Sequence, residues 1–161
     1  MIDASRNELS TWLSWVNGVQ NIADEERALV RDLEKFGKGI SITMIIIFQG
    51  QPVGAISFNR FHDLDNSTEI GYWLSTKFNG QGIMHRAVIG MCELGFTDYQ
   101  VNKIEIHTAI DNKRSNSVAK KAGFHLDGII RANELLPDGY HDGYIWTLLK
   151  DEWQAKTNFA Q

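Results

Sequence analysis

Lys77-Phe78-Asn79-Gly80-Gln81-Gly82-Ile83-Met84 joins two segments of opposite periodicity. Before it, residues 68–74 read Thr-Glu-Ile-Gly-Tyr-Trp-Leu, a strand. After it, residues 83–99 carry Ile83, Ala87, Ile89, Gly90, Leu94 and Phe96 on roughly one side of a helix. Two glycines at a strand-to-helix junction let backbone N–H groups come close to an anion. The helix adds the positive end of its dipole. The loop therefore predicts a phosphate or pyrophosphate seat, with a plain glycine turn as the alternative.

Further along, residues 111–121 hold Lys113, Arg114, Lys120 and Lys121 against Asp111 alone, a local balance of +3. This is either a solvated helix face or a landing site for the same anionic ligand. The whole chain carries a net charge of −4 over 161 residues, which does not advertise direct nucleic-acid or membrane binding. A hydrophobic content of 43% and this length suit one domain over 1–161 with a sizeable core. The single cysteine, Cys92, cannot pair internally and fits a reducing cytoplasm. Residues 44–48, the longest apolar run, are too few to cross a bilayer, and the polar start carries no secretory signal.

The periodicities place helices at 7–16 and 24–36, the second with Asp24 as its N-cap. Strands follow at 41–48, 53–61 and 68–74, then the helix from Ile83. A strand at 101–110, a short helix at 115–122 closed by Gly123, and strands at 124–132 and 140–149 complete the chain. The order α-α-β-β-β-α-β-α-β-β is an α+β arrangement, a mixed sheet with helices on its faces, and not a doubly wound Rossmann fold.

With that order, several motifs together carry a resemblance. The chain resembles the GCN5-related N-acetyltransferases (GNAT), and within them the RimJ/RimL-like branch that acetylates ribosomal-protein N-termini. The family's acyl-CoA loop, Gln/Arg-x-x-Gly-x-Gly/Ala, is similar to residues 77–82, with Lys77 in the first position. Glu69 to Leu74, the run Asp111-Asn112-x-x-Ser115-Asn116-x-Val118-Ala119 with Gly123-Phe124, and Tyr140-His141-Asp142 resemble further signatures of the branch. The matches keep order and spacing over residues 68–146, about half of the chain.

The resemblance implies a GNAT fold: a mostly antiparallel sheet splayed between two parallel strands, here 68–74 and 103–110. Acetyl-CoA is the implied cosubstrate, with no metal. Its pantetheine arm is expected along the open edge at Tyr72, Trp73 and Leu74 and beside Asn112. Its pyrophosphate is expected on the loop Asn79, Gly80, Gln81, Gly82, Ile83 and Met84, with Lys120 or Lys121 meeting a phosphate. The family also begins with a strand and most of a helix ahead of Trp12-Leu13-x-Trp15-Val16. The chain starts at Met1 within that helix, so the first strand is expected to be missing and its neighbour to stand as an open edge.

Acetyl transfer to an amine needs a neutral amine, a stabilised oxyanion and a proton for the departing thiolate. Many relatives supply that proton from a tyrosine at the position of Ala119 here; the RimL-like pattern implies Ser115 instead. An N-cap of the short helix is the structural alternative for Ser115. The resemblance implies two competing carboxylates as base: Glu134, expected in the connection after strand 124–132 and matching an acid of the RimL-like branch, and Glu69, on the splayed strand where other branches place a base. A water chain with no single base is the third option. His62, His85, His107, His125 and His141 show no metal-ligand spacing, and none is expected to bind metal. His141 either positions the acceptor or packs beside Asp142. Trp12 and Trp15 are expected in the core rather than along an acceptor groove.

The activity expected is an acetyl-CoA-dependent N-acetyltransferase acting on a primary amine, first a protein α-amino group. A polyamine or aminoglycoside acceptor is the alternative, and a non-catalytic acyl-CoA-binding relative is the rival from another class. The resemblance also implies a cytoplasmic enzyme and a homodimer.

Overall fold

In the computed structural model, residues 2–158 are described; residue 1 and residues 159–161, part of the single-domain reading, lie outside them. Six strands form one sheet in the order β1-β2-β3-β4-β6-β5: β1 Ile42–Phe48, β2 Gln51–His62, β3 Ser67–Leu74, β4 Lys103–Ala109, β5 His125–Leu136 and β6 Gly139–Leu149. All neighbours run antiparallel except β3 and β4, which run parallel. That pair is joined only at Ser67↔Lys103, Thr68↔Ile104 and Glu69↔Glu105. Beyond Glu69 the two strands part, and the splay expected between 68–74 and 103–110 is present.

The helices are α1 Arg6–Trp12, α2 Ile22–Gly37, α3 Ile83–Thr97, α4 Lys113–Lys121 and α5 Lys150–Asn158. Helix α3 lies across one sheet face. Its Met84, Val88, Met91, Cys92 and Phe96 share a core with Phe58, Ile70, Ile104, Ile106 and Leu148. Alternation along β3 then sends Ile70, Tyr72 and Leu74 to the α3 face and Glu69, Gly71 and Trp73 to the other. Gly95 is the contact point of α3 with the sheet: a Cβ there would lie 2.9 Å from Ile104 Cδ1.

Several boundaries differ from the sequence reading, each for a local reason. The helix expected at 7–16 stops at Trp12 because Leu13 is extended (φ −130°, ψ 96°) and packs into a small cluster of Ile2, Leu9 and Val16 against Trp73. A 3-10 turn, Ser14–Gly18, follows. Helix α2 is capped by Asn21, not Asp24. Asp24 is the third helical residue and closes a reciprocal capping box with Asn21. Helix α5 was not expected; its Trp153 ring lies 5.9 Å from that of Phe96. Strands β5 and β6 meet in a two-residue turn, Pro137–Asp138, so Glu134 lies inside β5 opposite His141 rather than in a connection. Strand β1 pairs with β2 alone and stands as an edge.

Candidate active site

The splay between β3 and β4 opens a cleft of about 490 Å³. Its walls include Trp12 and Leu13 beside α1, Tyr72, Trp73 and Leu74 of β3, and Asn112 and Ser115 of α4. Asn79 and Met84 line it on either side of the glycine loop, so the loop closes that end. The backbone of β3 beyond Glu69 has no ladder partner on the β4 side. An extended amide-bearing ligand would satisfy those groups, which is the fit the pantetheine arm requires.

Gly80 (φ +77°) and Gly82 (φ +69°) are both left-handed, a conformation side chains oppose. Gly82 is the N-cap of α3 and contributes no side-chain cap, leaving the first helical N–H groups to an external acceptor. A Cβ on Gly82 would come within 3.2 Å of Arg86 Nη1. Arg86, not singled out from sequence, folds back over the loop and donates to the Gln81 carbonyl at 3.3 Å. Its signal was the i+4 spacing from Gly82. Ile83 turns its side chain into the core and can offer only its backbone. Lys120 lines neither described cleft, but the end of α4 approaches the start of α3, where His85 Nε2 and the Lys121 carbonyl are 3.2 Å apart.

Ser115 is not the helix cap. Asn112 is, and its Oδ1 accepts the Ser115 N–H at 3.2 Å. The Ser115 hydroxyl is therefore free for another task, and it meets the Tyr72 hydroxyl at 2.9 Å across the splay. Tyr72 also donates to the Ser115 carbonyl at 3.2 Å. Burial pushes the Tyr72 phenol up to about 12, against a smaller opposing effect of its bond to Ser115. It remains a neutral donor at any ordinary pH.

Asn116 organises this corner. Its Oδ1 accepts from Thr108 and, at 3.0 Å, from Trp146 Nε1; its Nδ2 donates to the carbonyls of Ala109 and Ile110 at 3.1 and 3.0 Å. One side chain thus ties α4 to the divergent end of β4 and to β6. The Asn after Ser115 was part of the sequence motif, yet nothing in sequence showed what it holds.

Neither candidate base lines the cleft. Glu69 sits where β3 and β4 last pair and accepts from Asn59 Nδ2 at 3.0 Å. Glu134 accepts from Asn133 Nδ2 at 2.9 Å. It lies beyond a bulge in β5, where Ala132 (φ +52°) gives its N–H to Asp142 Oδ1 at 2.9 Å. Trp12 and Trp15 are not core. Trp12 is a half-buried wall residue, and Trp15, 43% exposed, stands edge-on to Trp73 with ring centres 6.3 Å apart. Their apolar spacing was real, but the surface they cover is a groove.

A glycine loop, splayed parallel strands and an open β3 edge are the features that an acyl-CoA-dependent acetyltransferase site needs. The chain belongs to the GNAT acetyltransferase family, whose domain model matches residues 3–125. It is similar to the ribosomal-protein-serine acetyltransferase of Escherichia coli, with 29% identity over 94% of this chain and 84% of that protein. Its structure resembles RimL, a ribosomal-protein α-N-acetyltransferase, in complex with coenzyme A. That likeness has a TM-score of 0.89 and 25% identity over 94% of this chain and 85% of the other. It also resembles a microcin self-immunity acetyltransferase in complex with acetyl-CoA and AMP, with a TM-score of 0.87 and 26% identity over 92% and 82%. The protein is an acetyl-CoA-dependent N-acetyltransferase.

Proposed function

We propose that this enzyme acetylates the free α-amino group of a protein N-terminus, a ribosomal protein first among candidates, and works as a cytoplasmic homodimer. The observation that carries the acceptor is a second space of about 440 Å³ that shares Thr11, Trp12 and Asp111 with the cofactor cleft. Its far wall is the tip of the β5–β6 hairpin, with Asp138 and His141. An open groove with two carboxylates and an aromatic wall suits the cationic end of a peptide chain. The kinship with ribosomal-protein acetyltransferases agrees with that choice.

Acetyl-CoA supplies the activated acetyl group. The backbone from Gly80 to Ile83 holds its phosphates at the start of α3, with Lys120 adding charge. The β3 edge at Tyr72, Trp73 and Leu74, with Asn112, holds its arm. Ser115 keeps a proton at Oγ for the departing sulfur, and the Tyr72 hydroxyl, 2.9 Å from that oxygen, holds the side chain at the splay. Glu134 adds negative charge on the acceptor side, and Glu69 orders polar groups at the apex of the splay.

The dimer surface is α2. Ile22, Leu29, Val30, Leu33 and Phe36 form a stripe, each more than half exposed. Its first turn carries Asp24 and Glu25 and its last turn Lys35, so two copies packed antiparallel bring acid against base. Light scattering at micromolar concentration checks this: Leu33→Glu yields a monomer if α2 is the interface.

The deciding assay measures thiol release with acetyl-CoA and two amines: a hexapeptide beginning with a free serine, and spermidine. Faster turnover of the peptide supports the reading, and turnover of spermidine alone rejects it.

A further inference from the structure

The sequence reading left the proton acceptor open between two glutamates and water, and neither glutamate reaches the cleft or the groove. A different group does. His141 stands on β6 in the wall of the acceptor groove, its side chain 31% exposed, with Nε2 at 2.8 Å from Asp138 Oδ1. Asp138 belongs to the hairpin turn and is open to water, and the His141 bond holds its carboxyl below the usual range. A carboxylate that accepts Nε2–H fixes the neutral ring in the tautomer whose Nδ1 carries a free lone pair. Carboxylates flank this wall from three elements: Asp138 in the turn, Glu134 in register across on β5 and Asp111 on the facing side of the groove.

We propose that His141, oriented by Asp138, is the base that takes the proton of the acceptor ammonium, and that Asp111 and Asp138 draw that cation into the groove. This rests on the amine-acetylating reading above. An amine arriving at neutral pH is mostly R–NH3⁺ and cannot attack. Its first proton passes to His141 and from there to water. The neutral nitrogen then forms the C–N bond as the C–S bond breaks. The second amine proton leaves the nitrogen in that step and ends, by way of Ser115, on the sulfur. Two protons leave the amine, one reaches solvent and one the thiol, so the step balances. Glu134, whose oxygen is engaged by Asn133, takes no proton in this scheme.

The test is a pH–rate profile from about 5.5 to 9.5 on the intact protein, using whichever of the serine peptide and spermidine is turned over. His141→Gln lowers kcat/KM for the acceptor by about 100-fold near pH 6.5; with the serine peptide it approaches the parent at the alkaline end, where an α-amino group is neutral without help, and with spermidine the gap narrows as pH rises. Asp138→Asn shows a smaller loss of the same shape, and calorimetric acetyl-CoA affinity is unchanged in both. A merely structural histidine would lower the rate equally at every pH. That result, or a parent-like profile in His141→Gln, overturns the proposal. If neither amine is acetylated, the amine reading fails by itself. The groove is then tested by NMR of the His141 ring during titration with the serine peptide and with its N-acetylated form. A shift with the free amine alone supports the subsite, and equal or absent shifts overturn it.

Discussion

The proposed cofactor side of the molecule and the proposed acceptor side are built by different means. On the cofactor side, β3, the glycine loop and the start of α3 follow one another in sequence, and the groups they offer are mostly backbone. On the acceptor side, α1, the β4–α4 connection and the β5–β6 hairpin are more than a hundred residues apart at the extremes. What they offer is side chains: Trp12, Asp111, Asp138 and His141. A site made of consecutive backbone can be read from spacing. A site made of side chains from three segments exists only once the sheet has ordered them.

The largest expected effect breaks the cofactor side and spares the other. Gly82→Val puts a β-branched residue at φ +69°, against Arg86 Nη1 and in the proposed phosphate seat. Backbone strain costs about 1–3 kcal/mol, so the protein stays folded by circular dichroism. Calorimetry should show acetyl-CoA binding lost, and a folded variant with unchanged affinity would remove the loop from the site.

Next comes the junction of the two sides. Ser115→Ala should lower kcat by about 100-fold with little change in acetyl-CoA affinity. Tyr72→Phe should cost less, because it removes a group that holds Ser115 in place and not the Ser115 hydroxyl itself. The Tyr72 phenol also carries a pH signature. Its folded value is raised, to about 12. The neutral form is favoured by folding, and that stability is complete below the ordinary phenol value and lost as pH rises toward 12. Denaturation midpoints measured between pH 10 and 12 should therefore fall less steeply in Tyr72→Phe than in the parent.

Asn116→Ala tests whether the corner between the sides is held by one residue. It removes bonds to Thr108, Trp146, Ala109 and Ile110, and about 2–4 kcal/mol of stability should go with them, read from urea unfolding. A loss below about 0.5 kcal/mol would show that α4 is positioned without it.

The smallest effect sharpens the comparison. Glu134→Gln should change the acceptor KM only a few-fold and leave acetyl-CoA binding intact, because its oxygen already faces Asn133. Glu69→Gln is the control at the apex of the splay. If only the Glu69 variant loses the acidic limb of the rate profile, proton removal belongs to β3 and not to the hairpin.

Strand and helix periodicity, the glycine pair and the Asp111-to-Phe124 signature were enough to order all six strands and four of the five helices. Each depends on residues within one turn or one pleat of each other. The breaks came where tertiary contact overrode local pattern. Leu13 left the helix to pack on the Ile2, Leu9 and Val16 cluster, and Trp153 closed an unexpected helix onto Phe96. Glu134 moved from a presumed loop into a strand because Pro137–Asp138 makes a tighter turn than the spacing suggested.

By itself the sequence determined the glycine turn between β3 and α3, the place of α2 in the chain though not its capping residue, and the alternation that puts Tyr72 and Trp73 on opposite faces. These are short-range consequences of φ preference, hydrogen-bond reach and a two-residue period. The tertiary structure alone decided that β3 and β4 part after Glu69. It also brought the Tyr72 hydroxyl to Ser115 across 43 residues of chain, and it gave His141 rather than Glu134 the groove wall. Those depend on which side chains the sheet brings within about 3 Å of each other, a distance no sequence interval specifies.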